Sequence, residues 1–379
     1  MSLLCKMVLT VSEGLLIILL TGDGGSFNLN QRNWLLHKDQ RVAGCGASFS
    51  LLTPQMIAIK KFLNITVGVI LLSAAQFLPA APAPGKPLTF FSVIHGDVSD
   101  PFWAVYRKGL VDASKLYNVQ IKDLGTQVTS VQAEVDLFNS ALAAKPDGII
   151  TTIPDPQAFE ESLKRAADQH IPVIAVNVAD PRPAAQRVPY LFYIGGDEYL
   201  GGKAAAQRVL KSKKPKSTAC WIQEPGHTGL EARAKGWTDE MTKAGVKTET
   251  ITYRVNNATE AAEALTGFLR SHPDLDTLFC EGSVNTGIAL QVLDEMKKSD
   301  QITLFGFDFN KAITEAIESG KLLGTVEQQQ YLQGYLGVEF MRLYLDNQFL
   351  PSGDLLTGPN VVDKDNLEKI KESVAAGYR

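Results

Sequence analysis

Three residues in the stretch SDPFW could contact a ligand together: Asp100, Phe102 and Trp103, a carboxylate and two large aromatics within four positions. They follow an apolar run, LTFFSVI, that reads as a strand. Asn177 in VNVADP, Arg233 in QEPGHTGLEAR, Asp308 in FDFN and Gln328 in EQQQ stand at comparable places after later apolar runs. Carboxylates, amides, one guanidinium and flat rings suit a neutral, polyhydroxylated ligand. Charged side chains make strong hydrogen bonds to hydroxyls, and aromatic faces cover apolar C–H surfaces. Burying an acid beside Arg233 also lets each offset part of the other's desolvation.

Each of these residues also has a local explanation. Asp100 is a good N-cap, and Pro101 suits the first helical position because its missing N–H would be unpaired there. Trp103, Tyr106 and Leu110 share a helix face, so the aromatics could be core residues. Asn177 and Asp308 are common turn formers, Arg233 could form a surface ion pair, and Gln328 could simply open a loop. What sets them apart is repetition at equivalent places of successive units. The first turn after a strand end also lies at the edge of a core, which favours the cleft for the aromatics.

Motifs of other chemistries are missing from the sequence. No G-x-G-x-x-G follows the first strand, no G-x-x-x-x-G-K-[ST] occurs, and neither H-E-x-x-H nor a G-x-S-x-G elbow is present. His227 falls in one of the candidate loops with no nucleophile beside it. The expectation is therefore binding rather than catalysis, with no metal and no cofactor.

The elements that must position these residues alternate. LTFFSVI precedes a helix running through Tyr117. VQIKDL precedes a helix from about Ser130, in which Val131, Val135, Phe138 and Leu142 recur at helical spacing. DGIITTI, PVIAVNV, YLFYIGG, STACWIQ, TETITYRV, DTLFCEG, ITLFGFD and LLGTVEQ continue the pattern, with helical segments between them. Near-continuous apolar strands alternating with helices imply parallel sheets covered on both faces. About nine units exceed one sheet, so two lobes are expected, dividing near Gly195–Gly196. Ligands of such sheets sit beyond the C-terminal strand ends.

The chain has 379 residues, 45% hydrophobic and 21% charged, an ordinary globular composition. Its first part differs from the rest. From Met56, a short basic segment (Lys60, Lys61) is followed by an apolar run from Phe62 to Leu72 and then by Ser73, Ala74 and Ala75. That layout reads as a secretory signal peptide over 56–75, cleaved after Ala75, with Ala81 or Ala83 as alternatives. Residues 76–87, including LPAAPAPGKP, read as a flexible lead-in. Residues 1–55 show no sustained period. They read as an over-extended reading frame ahead of Met56, the rival being a genuine extension whose GLLIILL contributes to a membrane anchor. Without residues 1–75 the chain carries 31 basic and 38 acidic residues. No basic cluster with interleaved aromatics occurs, which argues against a nucleic-acid partner. Cys220 and Cys280 remain in apolar runs and read as buried thiols, in a compartment that would also permit a disulfide.

In this setting the chain resembles the type I periplasmic binding proteins of sugar ABC transporters, and is similar to the ribose-binding proteins. The resemblance runs from Leu88 to the C-terminus. It is carried by SDPFW, KPDGIITTIPDP, IPVIAVN, IGGDEYLGGKAA, GLEARAKGW, LFGFD, GKLLGTVEQQQYLQGYLG and LLTGP. It implies two doubly wound parallel-sheet lobes joined by a three-strand hinge. The N-lobe would comprise 88–196 and 329–357, and the C-lobe 197–328 and 358–379. It also implies a monomer in the periplasm that closes on a sugar or polyol and delivers it to an ABC transporter permease in the inner membrane. By the same resemblance Asp100 hydrogen-bonds the sugar while Phe102 and Trp103 stack on it. Asn177, Arg233, Asp308 and Gln328 match ligand contacts, and Trp103→Ala would weaken binding yet spare the fold. Asn177 and Val178 stand where ribose binders have Asp and Arg, and Gly282 or Ser283 where they have Asn. A related sugar or polyol is therefore expected rather than ribose. The alternative role is a receptor presenting its ligand to a sensor kinase or chemoreceptor, as autoinducer-2 receptors of this fold do. A repressor effector domain is disfavoured by the leader and by the lack of a helix-turn-helix ahead of Leu88.

Overall fold

The computed structural model describes residues 6–12, 15–21, 87–97, 100–126 and 130–379. The expected signal peptide and all of the lead-in except Pro87 lie outside them. The chain divides into two units, residues 1–80 and 81–379. In the first, β1 (Lys6–Ser12) pairs antiparallel with β2 (Leu15–Thr21), so the LLIILL run lies in a hairpin strand. Among the described residues, no helix is long and apolar enough to cross a membrane.

The second unit holds two six-stranded sheets. The first contains β3 (Leu88–Asp97), β4 (Val119–Thr126), β5 (Gly148–Thr151), β6 (Val173–Val176), β7 (Tyr193–Gly196) and β13 (Leu355–Gly358) in the order 13-7-6-5-3-4, all parallel. The second contains β8 (Ser217–Ile222), β9 (Lys247–Thr252), β10 (Thr277–Cys280), β11 (Thr303–Phe307), β12 (Gly324–Glu327) and β14 (Asn360–Asp363) in the order 14-12-11-10-8-9. Only its edge strand β14 runs antiparallel. The chain crosses between the sheets three times: after β7, after β12 and between β13 and β14.

Strand alternation fills two cores per sheet. On β3, Phe91 and Val93 pack on one face and Phe90 and Ile94 on the other. On β8 and β10, Cys220 belongs to one face and Cys280 to the opposite one, and both are buried free thiols. Helices begin where the sequence supplies a capping oxygen. Asp100 caps α1 (Pro101–Tyr117), Ser130 caps α2 (Val131–Ala143), Asp155 caps α3 (Pro156–Asp168) and Asp197 caps α4 (Glu198–Ser212). The cap of α5 (Thr228–Lys243) is a histidine, His227, whose Nδ1 accepts from Leu230 N at 3.2 Å.

One packing feature bears directly on the cleft. Helices α4 and α5 touch through glycine: a Cβ on Gly202 would lie 1.8 Å from the Arg233 carbonyl oxygen, and one on Gly236 would lie 2.0 Å from that of Tyr199. Only bare backbone permits this approach. It brings Arg233 of α5 against Glu198 in the first turn of α4.

Candidate ligand-binding site

Between the sheets, at the C-terminal ends of their strands, lies a cavity of about 310 Å³. That is within the range of small-molecule sites, about 300–1,000 Å³. All seven residues singled out from the sequence line it: Asp100, Phe102, Trp103, Asn177, Arg233, Asp308 and Gln328.

Asp100 is committed to its helix, accepting from Phe102 N at 2.9 Å, yet still borders the cavity. Phe102 and Trp103 are 5% and 4% exposed and belong to a core cluster as well as to the wall. Trp103 packs edge-on against His95, Phe102 and Tyr106, with centroids 5.3, 4.8 and 5.5 Å apart. A Cβ on Gly96 would overlap its Nε1 at 1.6 Å, so the indole rests on bare backbone. The expectation that Trp103→Ala spares the fold therefore needs correction, because this ring is shared between wall and core.

Asn177 and Asp308 directly follow β6 and β11 with positive φ, +63° and +65°. Asn and Asp adopt that region more readily than other non-glycine residues. Gln328, 2% exposed at the second crossing, lies between them. Arg233 is 4% exposed and is not a surface residue. Its Nε and Nη2 donate to Glu198 Oε2 at 2.8 and 2.5 Å, Nη1 donates to the Glu281 carbonyl, and its guanidinium lies 3.5 Å over the Phe307 ring.

Sequence reasoning singled out none of His95, Gln223, Glu224, His227 and Glu281, though all fall in its candidate strand-end loops and line the cavity. Gln223, Glu224 and Glu281 directly follow apolar runs, as the other site residues do. His95 lies within β3, two residues before its end. The backbone at Gly282 is met by a side chain from the loop after β8. A Cβ on Gly282 would come 2.6 Å from Gln223 Nε2, and Asn285 Nδ2 donates to Gln223 Oε1 at 3.2 Å. The Gln223 amide thus stands against the backbone at Gly282.

Burial sets the electrostatics. It pushes the Glu281 carboxyl up to about 8 against the pull of Arg233. Burial, with the Asp100 charge nearby, pushes Glu224 and Asp308 up to about 7. His95 is pushed down to about 3 by burial, and His227 is held well below its ordinary value by burial, His95 and Arg233. Both shifts favour the neutral imidazole. Across the cleft, Thr228 N and Oγ1 both donate to the Pro154 carbonyl, at 3.1 and 3.0 Å, so the lobes touch directly.

A family profile described as periplasmic binding protein domain matches residues 91–348. The chain belongs to the periplasmic binding protein family. It is 26% identical over 298 residues to the xylose/arabinose-binding protein XylF of Sulfolobus acidocaldarius, covering 75% of this chain and 73% of that one. It is 22% identical over 292 residues to the D-ribose/D-allose-binding protein of Pseudomonas aeruginosa, covering 73% and 89%. Among solved structures, a carbohydrate transporter of Acidothermus cellulolyticus 11B in complex with myo-inositol aligns with TM-score 0.72 and 28% identity, over 77% of this chain and 100% of that one. A periplasmic sugar-binding protein of Legionella pneumophila aligns with TM-score 0.67 and 28% identity, over 72% and 99%. These relatives of the periplasmic binding protein family are solute-binding proteins and not enzymes.

Proposed function

We propose that this chain is a periplasmic receptor for a neutral sugar or cyclic polyol that it hands to an ABC transporter permease. The observation that carries the reading is the make-up of the cavity. Asp100, Asn177, Arg233, Asp308 and Gln328 surround it with hydrogen-bonding groups from both lobes, and Phe102 and Trp103 form an aromatic wall. Arg233 is already met by Glu198, and Glu224 and Asp308 add carboxyl groups, so an anionic ligand finds no matching charge. The sugar-binding relatives, and the myo-inositol bound in one structural neighbour, support the same ligand class.

The mechanism is closure. A ligand touching both lobes favours the arrangement in which they meet, in proportion to its differential affinity for that state. Asp100, Phe102, Trp103 and Asn177 grip from one lobe, Arg233 and Asp308 from the other, and Gln328 from the hinge. Residues 56–75 act as the signal peptide, placing the mature monomer in the periplasm.

The test is a thermal-shift screen of residues 76–379 against D-xylose, D-arabinose, D-ribose, D-allose, hexoses, myo-inositol and sugar acids. A ligand at a hundred times its Kd adds about 2.7 kcal/mol of stability, enough for a visible shift. Stabilisation by one neutral class is expected. A response confined to the acids, or to none of the panel, would refute the reading.

A further inference from the structure

His95 belongs to the first sheet, and Glu224 and His227 to the loop after β8 of the second. One polar atom from each lies within 4.8 Å of the other two. His95 Nε2 stands 3.7 Å from Glu224 Oε2, and the two imidazole rings are 4.8 Å apart at 60°. Glu224 Oε2 is buried and has no hydrogen-bond partner.

Each ring is fixed from behind. His95 Nδ1 lies 2.9 Å from Thr152 Oγ1, which also accepts from His95 N at 3.0 Å and donates its proton to Glu134 Oε1, so His95 Nδ1 carries the ring proton and Nε2 is an acceptor. Thr152 and Glu134 are completely buried. On the other side His227 Nδ1 accepts from the Leu230 N–H. A neutral imidazole that accepts through Nδ1 carries its proton on Nε2, so His227 offers the cavity a donor.

That protonation pattern decides between two occupants. Two histidines and a carboxylate are a familiar set for a transition-metal ion. A metal on His227 Nε2 would have to displace that proton, leaving the ring an imidazolate or breaking the helix cap. A hydroxyl needs neither change. It accepts from His227 Nε2–H and directs its single proton between the two acceptors His95 Nε2 and Glu224 Oε2, 3.7 Å apart, and three atoms spaced as these are can share one oxygen at about 2.8 Å. A carboxylate would face Glu224, and an ammonium would face the His227 N–H.

We propose that His95, Glu224 and His227 together hold a single hydroxyl of the ligand across the two lobes, with Thr152 and Glu134 as positioning residues behind His95. This rests on the sugar or polyol reading above. It adds that one position of the ligand is an unsubstituted hydroxyl, neither acid nor amine. Because His95 comes from one lobe and its two partners from the other, this hydroxyl is fully held only when the lobes meet.

The experiment uses residues 76–379 and the panel D-xylose, D-arabinose, D-ribose and myo-inositol, with monodeoxy analogues of whichever binds. His95→Phe keeps a flat ring against Trp103 and removes the nitrogen, and His95→Gln serves as a second variant if the first fails to fold. Titration calorimetry is expected to show the parent ligand at least thirty-fold weaker in the variant. One deoxy analogue should bind wild type and variant equally, because the group that His95 reads is gone from both. Thr152→Val should erase the same discrimination when compared at temperatures where the variant is folded, since losing the hydroxyl leaves His95 N and Glu134 unpaired and lowers the melting temperature as well. A parent affinity within threefold of wild type, or all deoxy analogues weakening in parallel, would overturn the triad while leaving the sugar reading intact. Wild type that binds no panel member overturns both. Zinc that stabilises ligand-free wild type but not His95→Phe would make the triad a metal centre instead.

Discussion

Gln328 joins Asn177 to Asp308: its Oε1 accepts from Asn177 Nδ2 at 3.3 Å and its Nε2 donates to Asp308 Oδ1 at 2.9 Å. One amide at a hinge crossing therefore holds the strand-end residues of both lobes. The Gln328 backbone carbonyl is held in turn by Thr357 Oγ1 at 2.6 Å, just before the third crossing. Gln328→Ala removes both side-chain bonds and leaves Asn177 and Asp308 without this partner. Calorimetry of the variant should show ligand affinity at least tenfold lower, and unchanged affinity would remove Gln328 from the site.

Arg233 depends on Glu198 in the same way. Their side chains are 4% and 11% exposed, so the pair is largely out of water. Removing one partner of a buried pair typically costs about 3–5 kcal/mol, because the remaining charge is left uncompensated. Glu198→Gln keeps the shape and removes the charge. It should lower both the melting temperature and the ligand affinity, the latter at least tenfold. A variant that lost stability alone would show that Arg233 does not reach the ligand.

Trp103 requires two substitutions because it serves two purposes. Trp→Ala in a core typically costs about 3–5 kcal/mol. Trp103→Ala should therefore lower the melting temperature markedly as well as weaken binding. Trp103→Phe retains an aromatic face and most of the packing. If the indole forms part of the ligand wall, the Phe variant should bind within about tenfold of wild type while the Ala variant loses binding at any temperature where it is folded. Equal affinities in all three would confine Trp103 to the core.

The strands and helices were legible because period and capping agreed in nearly every unit. DPFW, for example, supplies the cap, the proline and the buried face of α1 in four residues. Asn177, Asp308 and Gln328 were legible because strand ends of parallel sheets gather ligands. Glu198 was not. It opens a helix as many glutamates do, and only the glycine contact of α4 with α5 brings it to Arg233. His95 was hidden for a related reason. Its role depends on Thr152 and Glu134, which are distant in sequence and meet it only after β3 and β5 pair. The Gln223 amide could not be foreseen at Gly282, since nothing in an absent side chain says what stands against it.

The buried acids of the cleft give the ligand-free protein a defined response to pH. Glu224 and Asp308 are pushed up to about 7 and Glu281 to about 8, mainly by burial, whereas the unfolded chain releases these protons near pH 4. The folded protein thus holds protons that the unfolded chain has lost, and stability falls as pH rises through the folded values. His95 and His227 act with the opposite sign, since burial depresses them and the unfolded chain gains their protons as pH falls. Their effect is confined below about pH 6.5, where unfolded histidine titrates. Between pH 6.5 and 8.5 the histidines no longer contribute, so the melting temperature should decline, most steeply at the lower end and less above pH 8 as the folded acids lose their protons, with the raised Cys220 and Cys280 thiols adding to it only towards pH 8.5. Glu281→Gln removes the group with the highest of the three values and should flatten the upper half of the decline. Calorimetric scans of wild type and variant at half-unit intervals would check this. A flat wild-type profile, or an equally steep one in the variant, would show that these carboxyls are hydrated in the ligand-free protein.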